Sequence, residues 1–290
     1  MRHPLEGNTP SMTTARAFVI GHPIGHSRSP LMHGYWIAQA GLDATYDRRD
    51  VAPEALADFF AEFRANRWIG CNVTIPHKLA VMEEVDVVQD VARAMGSVNC
   101  IWWEGETLVG GNTDATGFLS YLDICHPGWH KGARRALVLG AGGAARAAAY
   151  GLRERGLAVD LCNRTAARAR ALASHLGAGI TGHGNDALPD LMAEADILVN
   201  TTSLGMTGQP PLDLDIAPLK PTAIVNDVVY APLETPLLKA AKARGLRTVD
   251  GLGMLIYQGV EGFRSWFGIT PDVTPDLRRI LEDDIEGKSR

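Results

Sequence analysis
Two hydrophobic periods alternate along this chain, and the switches between them outline its elements. Residues 17–20 form a short apolar run that feeds Gly21-His22-Pro23-Ile24-Gly25. Ser29-Pro30 then supplies the cap and first turn of a helix that Gly41 ends. Leu56, Phe59, Phe60 and Phe63 recur at helical spacing between Pro53 and Asn66, and residues 69–75 read as a buried strand. Between Val98 and Gly111 two strands flank Glu104-Gly105-Glu106, a hairpin turn. The second runs into Gly110-Gly111-Asn112-Thr113-Asp114, where a domain boundary is expected.

A second unit opens at Arg135. Ala136-Leu137-Val138-Leu139 is continuously apolar, as parallel strands buried on both faces are, and a glycine-rich turn follows at once. An Ala-rich helix, a strand near 159–162, an Ala/Arg helix and strands at 197–201 and 223–228 come next. A helix after Thr235-Pro236 and a short strand at 248–250 complete an alternation expected of a doubly wound sheet. Residues 251–268 read as one more helix, with Leu255, Ile256, Val260 and Phe263 apolar, and the polar stretch after Pro275 as a terminal surface helix. The fold class is α/β. At 290 residues the chain exceeds the usual reach of one core, so two domains with a cleft between them are expected.

Composition narrows the partners. Apolar residues make up 46% and charged residues 21%, as in packed globular proteins. The net charge of −5, from 33 acidic against 28 basic residues without long runs of one sign, argues against nucleic acid and anionic membranes. Small molecules are the expected partners. Cys71, Cys100, Cys125 and Cys162 form no Cys-x-x-Cys pair and read as reduced residues of a cytoplasmic protein. Residues 1–15, polar with Pro4 and Pro10, read as a disordered leader.

The clearest chemistry lies in Gly140-Ala141-Gly142-Gly143-Ala144-Ala145. Its first two glycines suit a tight turn and close approach to a ligand, and Ala145 takes the helix-packing position of a dinucleotide fingerprint. The context strengthens it, because backbone N–H groups at a helix start directly after a strand hold a pyrophosphate. At the end of the next strand stands Asn163-Arg164-Thr165, with Arg168 one turn on, where an NAD enzyme would offer an acid to the ribose 2′-hydroxyl. Two permanent cations suit a 2′-phosphate instead, so NADP(H) is the expected cofactor. Asp160 lies too early in its strand to serve as that acid.

The loop from Gly21 to Pro30 gathers Ser27 and Ser29 before a helix, an arrangement that suits a carboxylate, although Ser29 is equally explained as a helix cap. His22, His26 and His33 have no acid beside them in the sequence, and no metal site is assigned to them. Asn72-Val73-Thr74-Ile75-Pro76-His77-Lys78 ends a buried strand and places Lys78 at the start of a helix. Reduction of a carbonyl needs a proton at the developing alkoxide, a lysine ammonium can give one, and Asp114 is the natural carboxylate to hold it.

These motifs and others resemble, in order from about Phe18 to Gln258, those of the shikimate dehydrogenase family. The resemblance rests on Pro23-Ile24-x-His26-Ser27-x-Ser29-Pro30, Asn72-Val73-Thr74-x-Pro76-x-Lys78, Val98-Asn99 and Gly111-Asn112-Thr113-Asp114. It continues through the glycine-rich turn with Arg146, Asn163-Arg164-Thr165, Asn200-Thr201-Thr202-Ser203, Asp227-Val228-Val229-Tyr230 and Asp250-Gly251-x-Gly253-Met254-x-x-x-Gln258. It implies reversible reduction of 3-dehydroshikimate to shikimate with NADPH. It implies that Ser27 and Ser29 bind the substrate carboxylate, that Thr74, Asn99, Asp114 and Gln258 bind its hydroxyls, and that Lys78 and Asp114 are the catalytic pair. Tyr230 would line the site, Met254 would sit against the nicotinamide, and Thr201, Ser203, Val228 and Gly251 would surround the cofactor. Gly34 departs from the family, many of whose members carry an amide there.

The resemblance also implies that the chain returns to its first domain. Residues 16–114 and 252–290 would form a discontinuous substrate domain and 115–251 a Rossmann-type NADP domain, with a homodimer as a possible assembly. Two competing readings are a quinate/shikimate dehydrogenase that uses NAD, which would place an acid near the ribose, and a non-catalytic NADP-sensing module, which would have lost the polar cleft.

Overall fold
The computed structural model describes residues 14–288, which build two six-stranded sheets. The first half of the chain runs β1 (Ala15–Gly21), α1 (Ser29–Gln39), β2 (Ala44–Asp50), α2 (Leu56–Ala65), β3 (Gly70–Val73), β4 (Val87–Val88), α3 (Asp90–Met95), β5 (Cys100–Glu104) and β6 (Thr107–Gly111). Its sheet has the order β2-β1-β3-β5-β6-β4. β1 pairs in parallel with β2 and β3, whereas β5 and β6 are the expected antiparallel hairpin around Gly105.

Period-two alternation explains why both faces of β1 are covered. Phe18 and Ile20 pack with Phe59, Phe60 and Phe63 of α2. Ala17 and Val19 face the other way, onto Met32 and Trp36 of α1 and onto apolar residues from the end of the chain. Those residues belong to α9 (Gly251–Phe267) and α10 (Pro275–Ile285), which pack against this face of the first sheet. α10 is more than a surface helix, since Leu277 and Leu281 are fully buried there.

Between these parts run α4 (Asp114–Cys125), β7 (Arg135–Leu139), α5 (Gly143–Glu154), β8 (Ala158–Cys162), α6 (Ala166–Leu176) and β9 (Ile180–His183). α7 (Leu188–Glu194), β10 (Ile197–Asn200), β11 (Ile224–Asp227), α8 (Pro236–Ala243) and β12 (Arg247–Val249) follow. All strands of the second sheet are parallel, in the order β12-β11-β10-β7-β8-β9. That is the doubly wound order whose reversal, between β7 and β10, opens a crevice at the carboxyl ends of the strands. Ala136 and Val138 pack on α5 and α6, and Leu137 and Leu139 on the helices of the opposite face. α4 and α9 join the two halves and cross where a Cβ at Gly117 would lie 2.5 Å from the Gln258 backbone nitrogen. Only glycine permits that approach.

Two further expectations are corrected, and one strand carries no signal in the sequence. The cap residue of α1 is Arg28, without a side-chain hydrogen bond, so Ser29 stands inside the first turn and is not the cap. Ala15 opens β1, and the rest of the expected leader, apart from Thr14, lies outside the described residues. β2, in which Tyr46 is the single buried residue of Ala-Thr-Tyr-Asp-Arg-Arg-Asp, shows no apolar run because it is an edge strand.

Candidate active site
The loops after β1, β3 and β6 meet the N-terminal ends of α5 and α9 around a pocket of about 220 Å³. Ser27, Ser29, Thr74, Lys78, Asn99, Asp114, Tyr230 and Gln258, the whole substrate set read from the sequence, line it. Ala144, Val228, Gly251 and Met254 of the cofactor set lie in the same wall.

In its wall the Lys78 ammonium donates to Asp114 Oδ2, with side-chain exposures of 19% and 10%. Asp114 sits in the first turn of α4, where a negative side chain suits the helix dipole. Its other oxygen accepts from Asn99 Nδ2 at 2.8 Å, and its N–H donates to Asn112 Oδ1 at 2.9 Å. The Asn99 amide has one orientation available, because its Oδ1 accepts from the Thr113 N–H at 2.8 Å and its NH₂ must then face Asp114. Gln258 Oε1 lies 3.4 Å from both Asn99 Nδ2 and Thr113 Oγ1. An ammonium, a carboxylate and amide groups held in fixed orientation can receive an oxygen-rich ligand and pass it a proton.

The other end of the pocket suits an anion. Ser29 N–H donates to Ser27 Oγ at 3.3 Å, which turns the Ser27 hydroxyl proton toward a further acceptor. The α1 N-terminus has no side-chain cap. Tyr230 lies with its ring 5.9 Å from the Arg28 guanidinium, and burial pushes its phenol above the usual range while Arg28 pulls the other way.

The glycine-rich turn joins this pocket to a second cleft. Gly140 has φ +114°, a conformation that favours glycine, and a Cβ there would lie 2.6 Å from Thr201 Oγ1. Gly142 is the cap of α5 with no side-chain partner, and a Cβ on it would meet nothing within 4 Å, so a ligand can reach the N–H groups behind it. A Cβ on Gly143 would be 3.8 Å from Lys78 Cδ, which places the helix start beside the ammonium. The second cleft, of about 480 Å³, is lined by Gly140, Asn163, Arg164, Thr165, Arg168 and Ser203. Arg164 and Arg168 are exposed there, and one acid, Asp213, shares the wall. These groups fit a dinucleotide with a 2′-phosphate. Asp160 is occupied elsewhere, accepting from Arg135 Nη2 and His183 Nε2, each at 2.9 Å.

Ala141, Gly142, Gly143, Ala145 and Thr201 line neither cavity. Ala145 is fully buried in the core, and Thr201 donates to the Leu139 carbonyl at 2.5 Å. The three early histidines part company. His26 lines the pocket, His22 pairs with Asp50 at 2.6 Å, an acid distant in sequence, and His33 is fully buried. Among the pocket residues with no role assigned from the sequence is Asn72, whose Nδ2 donates to the Asn99 carbonyl at 3.3 Å and whose Oδ1 accepts from Tyr46 at 2.6 Å. Its signal is its place in the same strand end as Thr74.

Comparison with known proteins bears on the whole chain. Residues 19–101 match the shikimate dehydrogenase substrate binding domain, residues 129–206 the shikimate / quinate 5-dehydrogenase family, and residues 251–281 the shikimate 5'-dehydrogenase C-terminal domain. The shikimate dehydrogenase (NADP(+)) of Azorhizobium caulinodans is 54% identical over 276 residues, covering 95% of this chain and 98% of that protein. The crystal structure of the Thermus thermophilus shikimate 5-dehydrogenase in complex with NADP(H) and shikimate is 37% identical, with a TM-score of 0.82 over 95% of this chain and 100% of that one. A quinate dehydrogenase from Corynebacterium glutamicum in complex with NAD reaches a TM-score of 0.84 at 31% identity, over 94% of this chain and 99% of that one. Backbone likeness alone thus does not separate the two activities, but identity above one half along nearly the full length of both chains settles the kinship: this chain belongs to the shikimate dehydrogenase family.

Proposed function
We propose that this chain reduces 3-dehydroshikimate reversibly to shikimate with NADPH, the reduction step of aromatic amino-acid (chorismate) biosynthesis. The observation that carries the reading is the Lys78–Asp114 pair in the wall of a pocket that also reaches Ala144 in the uncapped first turn of α5. NADPH, when bound, supplies the hydride, and all else falls to the chain. Gly140, Gly142 and Gly143 let the α5 N–H groups approach the pyrophosphate, and Arg164 and Arg168 pair with the 2′-phosphate. Met254 and Val228 keep water from the nicotinamide side of the pocket.

Ser27 and Ser29 hold the substrate carboxylate, and Thr74, Asn99, Asp114 and Gln258 its hydroxyls. Lys78 then stands at the reacting carbonyl, gives its proton to the oxygen as negative charge develops, and takes one back when the alcohol is oxidised. Asp114 keeps the ammonium in place through both directions. Residues 16–114 and 252–290 carry the substrate in this reading and 115–251 the nucleotide; a homodimer acting in the cytoplasm completes it. Among the described residues, no helix is long and apolar enough to cross a membrane.

Replacing Lys78 by Ala tests the assignment. In that variant kcat is expected to fall about a hundredfold or more while the dissociation constant of shikimate changes little, because proton transfer matters chiefly in the transition state. A parent-like kcat would remove Lys78 from the chemistry.

A further inference from the structure
Of the described residues lining the substrate pocket, Lys78 is the one lysine or arginine, and Asp114 already holds it. A carboxylate bound on Ser27 and Ser29 therefore finds no free cation in the wall. One stands outside the wall, on the backbone of Ser27. Arg48, on the edge strand β2, donates from Nε to the Ser27 carbonyl at 2.8 Å, and its Nη2 donates to the same oxygen. Arg28, also next to this loop, is matched by Asp284 Oδ2 at 3.0 Å, whereas among the described residues no carboxylate pairs with Arg48.

We propose that Arg48 is a positioning residue that makes this site select a carboxylate anion, fixing Ser27 through its carbonyl while leaving an unmatched positive charge on the backbone of that residue. The proposal rests on the reading of Ser27 and Ser29 given above. Every other polar atom of Ser27 is engaged. Its N–H donates to the Ile24 carbonyl at 3.0 Å, its carbonyl is forked by Arg48, and its Oγ accepts from Ser29 N–H at 3.3 Å. The hydroxyl proton is the donor left over: two contacts pin the Ser27 backbone, the Ser29 N–H occupies one lone pair of Oγ, and the proton is left to turn toward a ligand. The same strand fixes the loop a second time, since Asp50 Oδ2 accepts from the Ile24 N–H at 3.4 Å and Oδ1 pairs with His22. A chain with a net charge of −5 gains from such a local cation, because its overall field repels an anionic substrate.

The test compares kcat/KM for shikimate with that for its uncharged methyl ester, with NADP⁺, in the parent enzyme, Arg48→Met and Arg48→Lys. In Arg48→Met the acid-over-ester ratio is expected to fall about fivefold through KM for the acid, with kcat and the KM for NADP⁺ close to parent values. Arg48→Lys, which keeps the charge, is expected to retain most of the ratio. Raising the salt concentration should lower the parent's ratio toward that of Arg48→Met, since exposed charges are screened. An unchanged ratio in Arg48→Met, or equal losses for acid and ester, would overturn the proposal while leaving the enzymatic reading intact. A parent enzyme that turns over neither compound would overturn both.

Discussion

At the scale of single residues, what separates this site from an ordinary surface is how few conformations its polar groups retain. Lys78, Asp114 and Asn99 each have a partner that dictates their orientation, so these groups are held before a ligand arrives. Removing Asn99 should therefore act on Asp114 as well as on substrate. Asn99→Ala is expected to raise the KM for shikimate and to lower kcat several-fold, and unchanged steady-state constants would show that the network is passive. Arg164 poses a separate question of cofactor choice. With no 2′-phosphate on NADH, Arg164→Ala should raise the KM for NADPH about tenfold and leave that for NADH nearly unchanged, as expected for loss of a charge-assisted pair. Equal changes for both nucleotides would place Arg164 outside the phosphate's reach.

At the scale of elements, the turns decide more than the strands. Gly140 combines a positive φ with a Cβ position 2.6 Å from Thr201 Oγ1, and Thr201 is itself tied to the Leu139 carbonyl. Gly140→Ala should cost about 1–3 kcal/mol of stability in denaturant unfolding and raise the KM for NADPH, because the loop must shift to relieve both strains. A fully stable variant with parent affinity would contradict this. The same elements show what a sequence discloses. β1, β7 and β10 were legible because strands buried on both faces carry nearly continuous apolar runs. β2 was not, since an edge strand that buries Tyr46 alone carries almost no hydrophobic pattern. β4 and α3 are too short for a period to emerge, and β9 has one buried residue. At the site, Lys78 and Asp114 were legible through their motifs. The contribution of Arg48 was not, because it acts through a backbone carbonyl that any residue could supply.

At the scale of the whole molecule, one buried group makes stability depend on pH. His33 stacks on Tyr46 at 4.2 Å between ring centroids, is fully buried, and neither ring nitrogen has a hydrogen-bond partner among the described residues. Burial lowers its pKa to about 3, with the nearby Asn72 opposing the shift. In the unfolded chain the imidazole titrates near about 6.5. Between those values the unfolded state binds the extra proton, so the stability is fully present above about pH 6.5 and is lost as pH falls, by up to about 1.4 kcal/mol per pH unit. Unfolding in urea at pH 7 and pH 5 should show a smaller loss for His33→Phe, which keeps the aromatic stack, than for the parent; equal losses would mean that another group controls the acid limb. The two sheets, joined by α4 and α9, carry between them the question on which everything else rests. It is answered most directly by the absorbance of reduced nicotinamide, with shikimate or quinate crossed against NADP⁺ or NAD⁺. Turnover confined largely to shikimate with NADP⁺ is the expected result; comparable rates with quinate or NAD⁺, or no turnover in any of the four mixtures, would contradict the account.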